Sequence, residues 1–424
     1  MAESVKTFQK NAKAYMNVQR VQKWGVLTFL NSLNYGALLQ TYALQYALRE
    51  KGVDVEVIDY RTSVKNVPFK GICFGDSLHR LKRWVGLFVM FVGKGCVYCY
   101  IDALRRKRTN LFLKNYIAVS IEKYVGSEEL ARISEYQGII VGSDQVWNYR
   151  YAQTPNEYLL EKIEDAIVRV SYAASFGFKH LPDIYIKSYC QGLSKFKAIS
   201  VREKEGQTIV SSLIERKAKW VVDPTLLLSR TQWAEIVTPD NDKRQEYLLC
   251  YWVGDFKNNW CNIKSYLKRY KKIKIYGFQS QVYGSFVWEQ WFFRLCLFLT
   301  PGVELCYANG PIAFLRDISN ASAVLTDSFH AVMFSCIYQR PLRVITGSSS
   351  VRANMESRIV DFTNRVGMAD CRSAILQPLT VEDVCNPDYD HVGEKIDVWR
   401  EESWAYLSDA LDCKELQSIS RCVQ

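Results

Sequence analysis

Short apolar runs alternate with stretches of helical spacing along this chain, and that alternation permits few architectures other than parallel sheets covered by helices. Trp24–Phe29 (WGVLTF) is the first such run, followed by the turn-like Asn31–Gly36. Ala37–Glu50 then carries apolar residues at helical spacing and ends near Gly52, and Val53–Asp59 (VDVEVID) alternates as a strand does. The rhythm returns in Gly138–Val141, Val168–Ala173 and Ala198–Val201, in a helix over Glu205–Leu213, and in Trp220–Val222, closed by Asp223-Pro224. A polar break, Thr238–Glu246 (TPDNDKRQE), separates these from a second series through Tyr247–Val253, Ile273–Tyr276, Ala323–Thr326 and Leu342–Ile345. A chain of 424 residues exceeds one comfortable core, so two domains are expected. The fold class is thus α/β, with two Rossmann-like domains facing a cleft. An extension over 1–20 precedes a first domain over 21–237; a second over 247–367 leads into a helical tail over 368–424, with its helix around Trp399–Leu411.

Apolar residues at 48% and charged residues at 23% are ordinary for a globular protein and argue against extensive disorder. The thirteen cysteines are odd in number and sit inside apolar runs such as YLLCYW and RLCLFL. The first twenty residues are polar and lack the apolar core of a secretory signal, so free thiols in a reducing cytoplasm are expected. Cys96 and Cys99 have C-x-x-C spacing without a second pair or a nearby histidine, which fits small buried side chains better than a metal or redox site.

The net charge of +11 is concentrated. Between Arg61 and Val125 there are 13 Lys and Arg against 3 Asp and Glu, so this basic insertion, 61–125, holds nearly the whole surplus. No recognised nucleic-acid module surrounds it, and no nucleic-acid partner is assigned. An anionic membrane face or a phosphate-bearing substrate suits such a patch, as does a plain solvated helix face. Inside it, Trp84–Ile101 (WVGLFVMFVGKGCVYCYI) nears membrane-spanning length but is interrupted by Lys94 and three glycines. Peripheral contact with a membrane and burial in the first domain are both open readings; a transmembrane span would split an α/β unit.

Several familiar sites are absent. The chain has no G-x-x-x-x-G-K-[ST] loop and no G-x-G-x-x-G after a strand. Its four histidines, His79, His180, His330 and His391, include no pair at ligand spacing, so no metal is assigned. Ala173–Gly177 (AASFG) only distantly echoes a serine-nucleophile elbow.

Four polar segments follow expected strands. Asn31–Gln40 (NSLNYGALLQ) offers Asn31, Asn34, Tyr35 and Gly36 at the start of a helix whose N-terminus favours anions, or serves as a simple turn. Gly142–Asn148 (GSDQVWN) gathers Ser143, Asp144 and Gln145 before Trp147. Carboxylate and amide groups bind sugar hydroxyls and an indole suits a sugar's apolar face, while Asp144 is equally a candidate helix cap. In Ser200–Gly206 (SVREKEG), Arg202 leaves a strand end, placed to grip a carboxylate or phosphate with a two-pronged fork or to pair with a nearby acid. In Leu325–Ser335 (LTDSFHAVMFS), Asp327 and Ser328 precede His330 in the first helical turn, where an imidazole can move a proton near neutral pH or be structural.

Taken in order, these segments resemble the polysaccharide pyruvyl transferase family. The resemblance is carried by GVLTFLNSLNYGALLQTYAL, IIVGSDQVWN, SYAASFG, ISVREKEG, VVDPTLLL, LTDSFHAVMFSCIYQRPLRVI and NMESRI (Asn354–Ile359), and runs from about Trp24 to about Gly367. It implies a glycosyltransferase-B-like fold with an acceptor-side first domain and a donor-side second domain. It also implies phosphoenolpyruvate as co-substrate, no cofactor, and a pyruvate ketal on a sugar of a bacterial capsule, exopolysaccharide or cell-wall glycan as product. Arg202 matches the family's donor arginine, His330 the histidine of the C-terminal site and Arg358 an arginine of the closing segment. Arg352 and Ser328 join the expected donor set, since phosphoenolpyruvate calls for several converging cationic and N–H donors. His330 is expected to enter as imidazolium and act as the acid, with Asp144 or Asp327 as base on the sugar hydroxyl. Two other readings stand beside this one: a B-type glycosyltransferase using a nucleotide sugar, and a non-catalytic membrane-associated binding protein working through 61–125. The acceptor is a sugar or lipid-linked oligosaccharide, and the location cytoplasmic, at the inner face of the membrane if peripheral.

Overall fold

The computed structural model describes residues 23–30, 32–61, 101, 103–150, 157–237, 245–254, 256–277, 293, 296–306, 308–346, 353–374 and 384–413. The extension 1–20, Trp84–Tyr100 with its two cysteines, and most of the polar break lie outside the described residues.

Near-continuous apolar runs mark strands buried on both faces, and these runs build two sheets. β1 (Trp24–Leu27), β2 (Val55–Arg61), β3 (Val119–Val125), β4 (Gly138–Val141) and β5 (Val168–Ser171) form the first, in the order β3-β2-β1-β4-β5. All its pairings are parallel. β6 (Ser200–Val201) and β7 (Lys219–Trp220) extend it, bridged to the β5 edge through Val170–Ala198 and Ala174–Val201. The second sheet comprises β8 (Gln245–Tyr251), β9 (Lys272–Tyr276), β10 (Val303–Leu305), β11 (Ala321–Thr326), β12 (Leu342–Thr346) and β13 (Arg372–Ala374), in the order β10-β9-β8-β11-β12-β13. It too is wholly parallel. Counted from its own first strand this is 3-2-1-4-5-6, the doubly wound order, and the first sheet follows the same scheme. The fold is therefore the expected pair of Rossmann-like units.

Six helices matter for the site: α1 (Tyr35–Glu50), α2 (Lys204–Ile214), α3 (Gly310–Asn320), α4 (Phe329–Tyr338), α5 (Ala353–Val366) and α6 (Tyr389–Leu411). Asn34 caps α1 by accepting from the Gly36 N–H, and Arg49 in the last turn complements the helix dipole. α1 is buried on nearly all sides because the second half covers the face its own sheet does not. The expected tail helix starts earlier than Trp399, at Tyr389, and returns to the first half. There the Trp399 indole donates to the Trp220 carbonyl (3.1 Å), Ser403 accepts from the Val222 N–H (3.0 Å), and the Tyr406 hydroxyl donates to Ser171 (2.7 Å).

One apolar cluster runs through both halves, joining Val26, Leu38 and Val57 to Tyr247, Val324, Val332 and Trp399. Separate clusters fill the outer faces of the two sheets. No disulfide joins the described cysteines, and Cys250, Cys306, Cys336 and Cys371 are buried. Among the described residues, no helix is long and apolar enough to cross a membrane.

Candidate active site

Open parallel sheets bind ligands beyond the carboxyl ends of their strands, where the strand order reverses. The first sheet reverses between β1 and β4, the second between β8 and β11, and the two reversal points face each other. The cleft between them is lined by Asn34 after β1, Asp144 and Gln145 after β4, Val253 after β8, Asp327 to His330 after β11, and Glu356, Arg358 and Ile359 of α5. Its enclosed volume is small, about 80 Å³.

Behind the cleft lies a buried ion cluster. Arg202 donates from Nη1 to Asp223 Oδ2 (2.8 Å) and from Nη2 to Asp144 Oδ1 (3.3 Å). Its guanidinium also stacks on the Phe329 ring, 4.8 Å from the centroid, and Arg358 approaches the same ring at 5.6 Å. Asp223 Oδ1 accepts from the Thr225 N–H and hydroxyl, while Ser143 Oγ lies 3.4 Å from Oδ2. His330 Nε2 stands 3.8 Å from that same Oδ2. Burial would raise the Asp223 carboxyl, but the neighbouring His330 and Arg202 outweigh it and hold the group below the ordinary carboxylate range. Burial dominates at His330 and lowers its pKa despite Asp223.

The expected site residues divide between the cleft and the scaffold around it. Asn34, Asp144, Gln145, Asp327, Ser328, His330 and Arg358 line the cleft. Asn31 and Arg352 lie outside the described residues. Arg202 sits behind the wall with a side chain 1% exposed, already engaged by two carboxylates, so the ion-pair alternative describes it better than a direct donor grip. Trp147 is fully enclosed: its indole donates to the Tyr158 carbonyl and packs on Phe176 and Phe196. It offers no face to a sugar, which corrects the acceptor role. Ser143 is likewise buried, its hydroxyl donating to Ala173. The Tyr35 hydroxyl accepts from the Gly310 N–H at the start of α3, so this ring clamps the two halves together and does not face the cleft. Ser175 of the AASFG stretch is also buried and outside the cleft.

Three further expectations change. Asp144 caps no helix; it sits at φ 77°, a left-handed conformation that Asp tolerates, and turns its Oδ1 to the Gln145 N–H and Arg202. Asp327 accepts from the Val253 and Gly254 N–H groups, both at 2.6 Å, so its carboxylate fastens the β8 loop instead of standing ready as a base. Burial pushes the His330 imidazole below its ordinary range, which favours the neutral ring over the imidazolium expected from the sequence.

The described lining carries Asp144, Asp327 and Glu356 against a single guanidinium, Arg358, fewer cations than a doubly acidic ligand was expected to need. Compensation comes from the backbone. Ser328 begins α4 without a side-chain cap hydrogen bond, leaving the helix N-terminus directed at the cleft. Helix ends of this kind bind anions through N–H groups and the helix dipole. Three contributors escaped the sequence reading: Asp223, Phe329 and Glu356. Asp223 stands directly after a short strand and reads as a turn residue, while Phe329 and Glu356 lie inside LTDSFHAVMFS and NMESRI without a role of their own.

A profile of the polysaccharide pyruvyl transferase family matches residues 34–349. No curated protein sequence matches the chain significantly. Among solved structures, the chain is similar to the UDP-GlcNAc 2-epimerase of Methanocaldococcus jannaschii in complex with UDP-GlcNAc and UDP, at 12% identity and TM-score 0.42, covering 89% of this chain and 92% of that one. A putative UDP-N-acetylglucosamine 2-epimerase from Listeria monocytogenes gives 10% identity and TM-score 0.48, with 89% and 90% covered. An Arabidopsis thaliana protein complexed with UDP-L-rhamnose gives 11% and 0.46, with 93% and 99% covered.

Proposed function

This chain belongs to the polysaccharide pyruvyl transferase family, and from that premise we propose that it moves the enolpyruvyl carbon of phosphoenolpyruvate onto two hydroxyls of a sugar. The product is a cyclic pyruvate ketal and the leaving group is phosphate. The observation that carries this reading is the convergence of the uncapped α4 N-terminus, Arg358 and His330 on one cleft at the facing reversal points of the two sheets. Helix N–H groups and Arg358 receive the donor's carboxylate and phosphate.

In the reaction, two sugar oxygens bond to C2 of the donor and the C2–O bond to phosphate breaks. One hydroxyl proton ends on the methylene carbon, making it a methyl group, and the other leaves with phosphate. Neutral His330 takes the proton of the attacking hydroxyl and, now charged, supplies the one that the methylene carbon requires. Asn34, Gln145 and Asp144 hold the acceptor sugar from the first half. The acceptor is a lipid-linked or polymeric glycan, met in the cytoplasm at the membrane face.

Incubating the purified chain with phosphoenolpyruvate and candidate lipid-linked sugars tests this. Phosphate release together with an acceptor mass gain of pyruvate less water is the expected result, lost in His330→Ala. Release of a nucleoside diphosphate from a nucleotide sugar, with no use of phosphoenolpyruvate, would replace it with the glycosyltransferase reading.

A further inference from the structure

His330 Nε2 is buried and has no hydrogen-bond partner, yet it faces the Asp223 carboxylate at 3.8 Å. Leaving a buried polar atom unpaired costs roughly 1–3 kcal/mol, and a shift of about 1 Å would complete the bond. Asp223 cannot swing away, because Thr225 holds Oδ1 with two hydrogen bonds and Arg202 holds Oδ2 at 2.8 Å. With Arg202 fixed beside it the carboxylate stays ionised, and an ionised carboxylate only accepts. The imidazole nitrogen facing it must therefore carry the hydrogen.

The other nitrogen has a different neighbour. A Cβ placed on Gly36 would lie 2.2 Å from His330 Nδ1, 2.4 Å from Cγ and 2.8 Å from Cβ, so the ring packs directly on this glycine, and only a residue without a side chain leaves room for it. Gly36 adjoins Asn34, which lines the cleft. Both neighbours belong to the first half, and His330 to the second.

We infer that Asp223 is a positioning residue that holds His330 as its Nε2–H tautomer, making Nδ1 the atom that exchanges protons with substrate, with Gly36 giving the ring room to sit between the two halves. The inference rests on the reading of His330 as the proton carrier. The working tautomer then exists only while the two halves are apposed, which ties proton transfer to the closed cleft. Arg202, Asp144 and Arg358 are the other charged groups acting on the ring.

Nitrogen-15 NMR of the full chain reads the tautomer directly. The wild-type protein should show His330 protonated at Nε2 above neutral pH. Asp223→Asn keeps the side chain's shape and an acceptor for Thr225, but can face the ring with either its carbonyl or its NH₂. It should yield a mixed tautomer and a fall in kcat of roughly 10²–10⁴-fold, with the KM for phosphoenolpyruvate changed by less than about threefold. Should that variant fail to fold, the wild-type spectrum alone decides, because the geometry requires the proton on Nε2 and not on Nδ1. An unchanged tautomer in folded Asp223→Asn, or a wild-type ring protonated at Nδ1 instead of Nε2, overturns the inference. A wild-type chain inert to phosphoenolpyruvate overturns the functional reading instead, and the tautomer result still decides this one.

Discussion

A guanidinium already holding two carboxylates has little left for a third anion, and Arg202 is in that state between Asp223 and Asp144. Its removal would strand Asp223, whose side chain is wholly buried, without its closest cation. Arg202→Met should therefore cost about 3–5 kcal/mol in denaturant unfolding, and weak activity in that variant would report a damaged scaffold. A loss below about 1 kcal/mol would show that the pair does little for stability. His330 makes the opposite case, a buried base kept neutral. Its folded pKa lies below the unfolded value of about 6.5, so the unfolded chain binds the extra proton. Stability from this residue is complete above pH ~6.5 and declines as pH falls through that value toward the folded pKa. A His330 resonance with a midpoint at or above 6.5 in the free protein would remove the ground for treating it as a base.

At the level of elements, the cleft is closed by helix ends that meet across the halves. The Lys204 N–H at the start of α2 donates to Asp361 of α5 (3.1 Å), docking the helix that carries Arg358 onto the helix that follows Arg202. Burial first, and then Asp361 beside it, push the Glu205 carboxyl up, so this contact grows less favourable as pH rises past about 4.5 and the carboxyl ionises. Glu205→Gln should raise Tm at pH 7 by about 1–2 °C, with the gain fading below pH ~4.5; a gain of equal size at both pH values would assign it to something other than ionisation. The same element scale explains what the sequence disclosed. Central strands such as Gly138–Val141 and Ala321–Thr326 are buried on both faces and read as apolar runs. Val119–Val125, Val303–Leu305 and Arg372–Ala374 went unread because they are edge strands, partly exposed and rich in charge. The loops after β1, β4 and β11 were legible because polar residues crowd there directly after apolar ones. Asp223 was not: its partners Arg202, Ser143 and His330 are 21, 80 and 107 residues away in sequence, and no local pattern encodes such a meeting. Trp147 misled for a related reason, since an indole beside polar residues has the same spelling whether it faces a ligand or the core.

For the molecule as a whole, the decisive feature is that the two halves share one apolar cluster where hinged domains would each keep their own. Val26 and Leu38 from the first half contact the same core as Val324 and Val332 from the second, and Trp399 and Leu407 of α6 complete it from the far end of the chain. Interfaces between independently moving domains are usually smaller and more polar than this. Separating the halves would expose the shared apolar surface, at about 25 cal/mol per Å², together with the Asp223 cluster that His330 covers. Unfolding should accordingly be a single cooperative event, one calorimetric transition with matching van't Hoff and measured enthalpies. Removing α6 should do more than shorten a tail. A chain ending at Asp388 loses the covers of Trp220 and Val222, the residues that lead directly into Asp223. It should fail to show a cooperative transition at all. Two resolved transitions in the intact chain, or a truncated chain that still melts sharply, would mean that each half is stable by itself and that the cleft opens far more freely than its shared core implies.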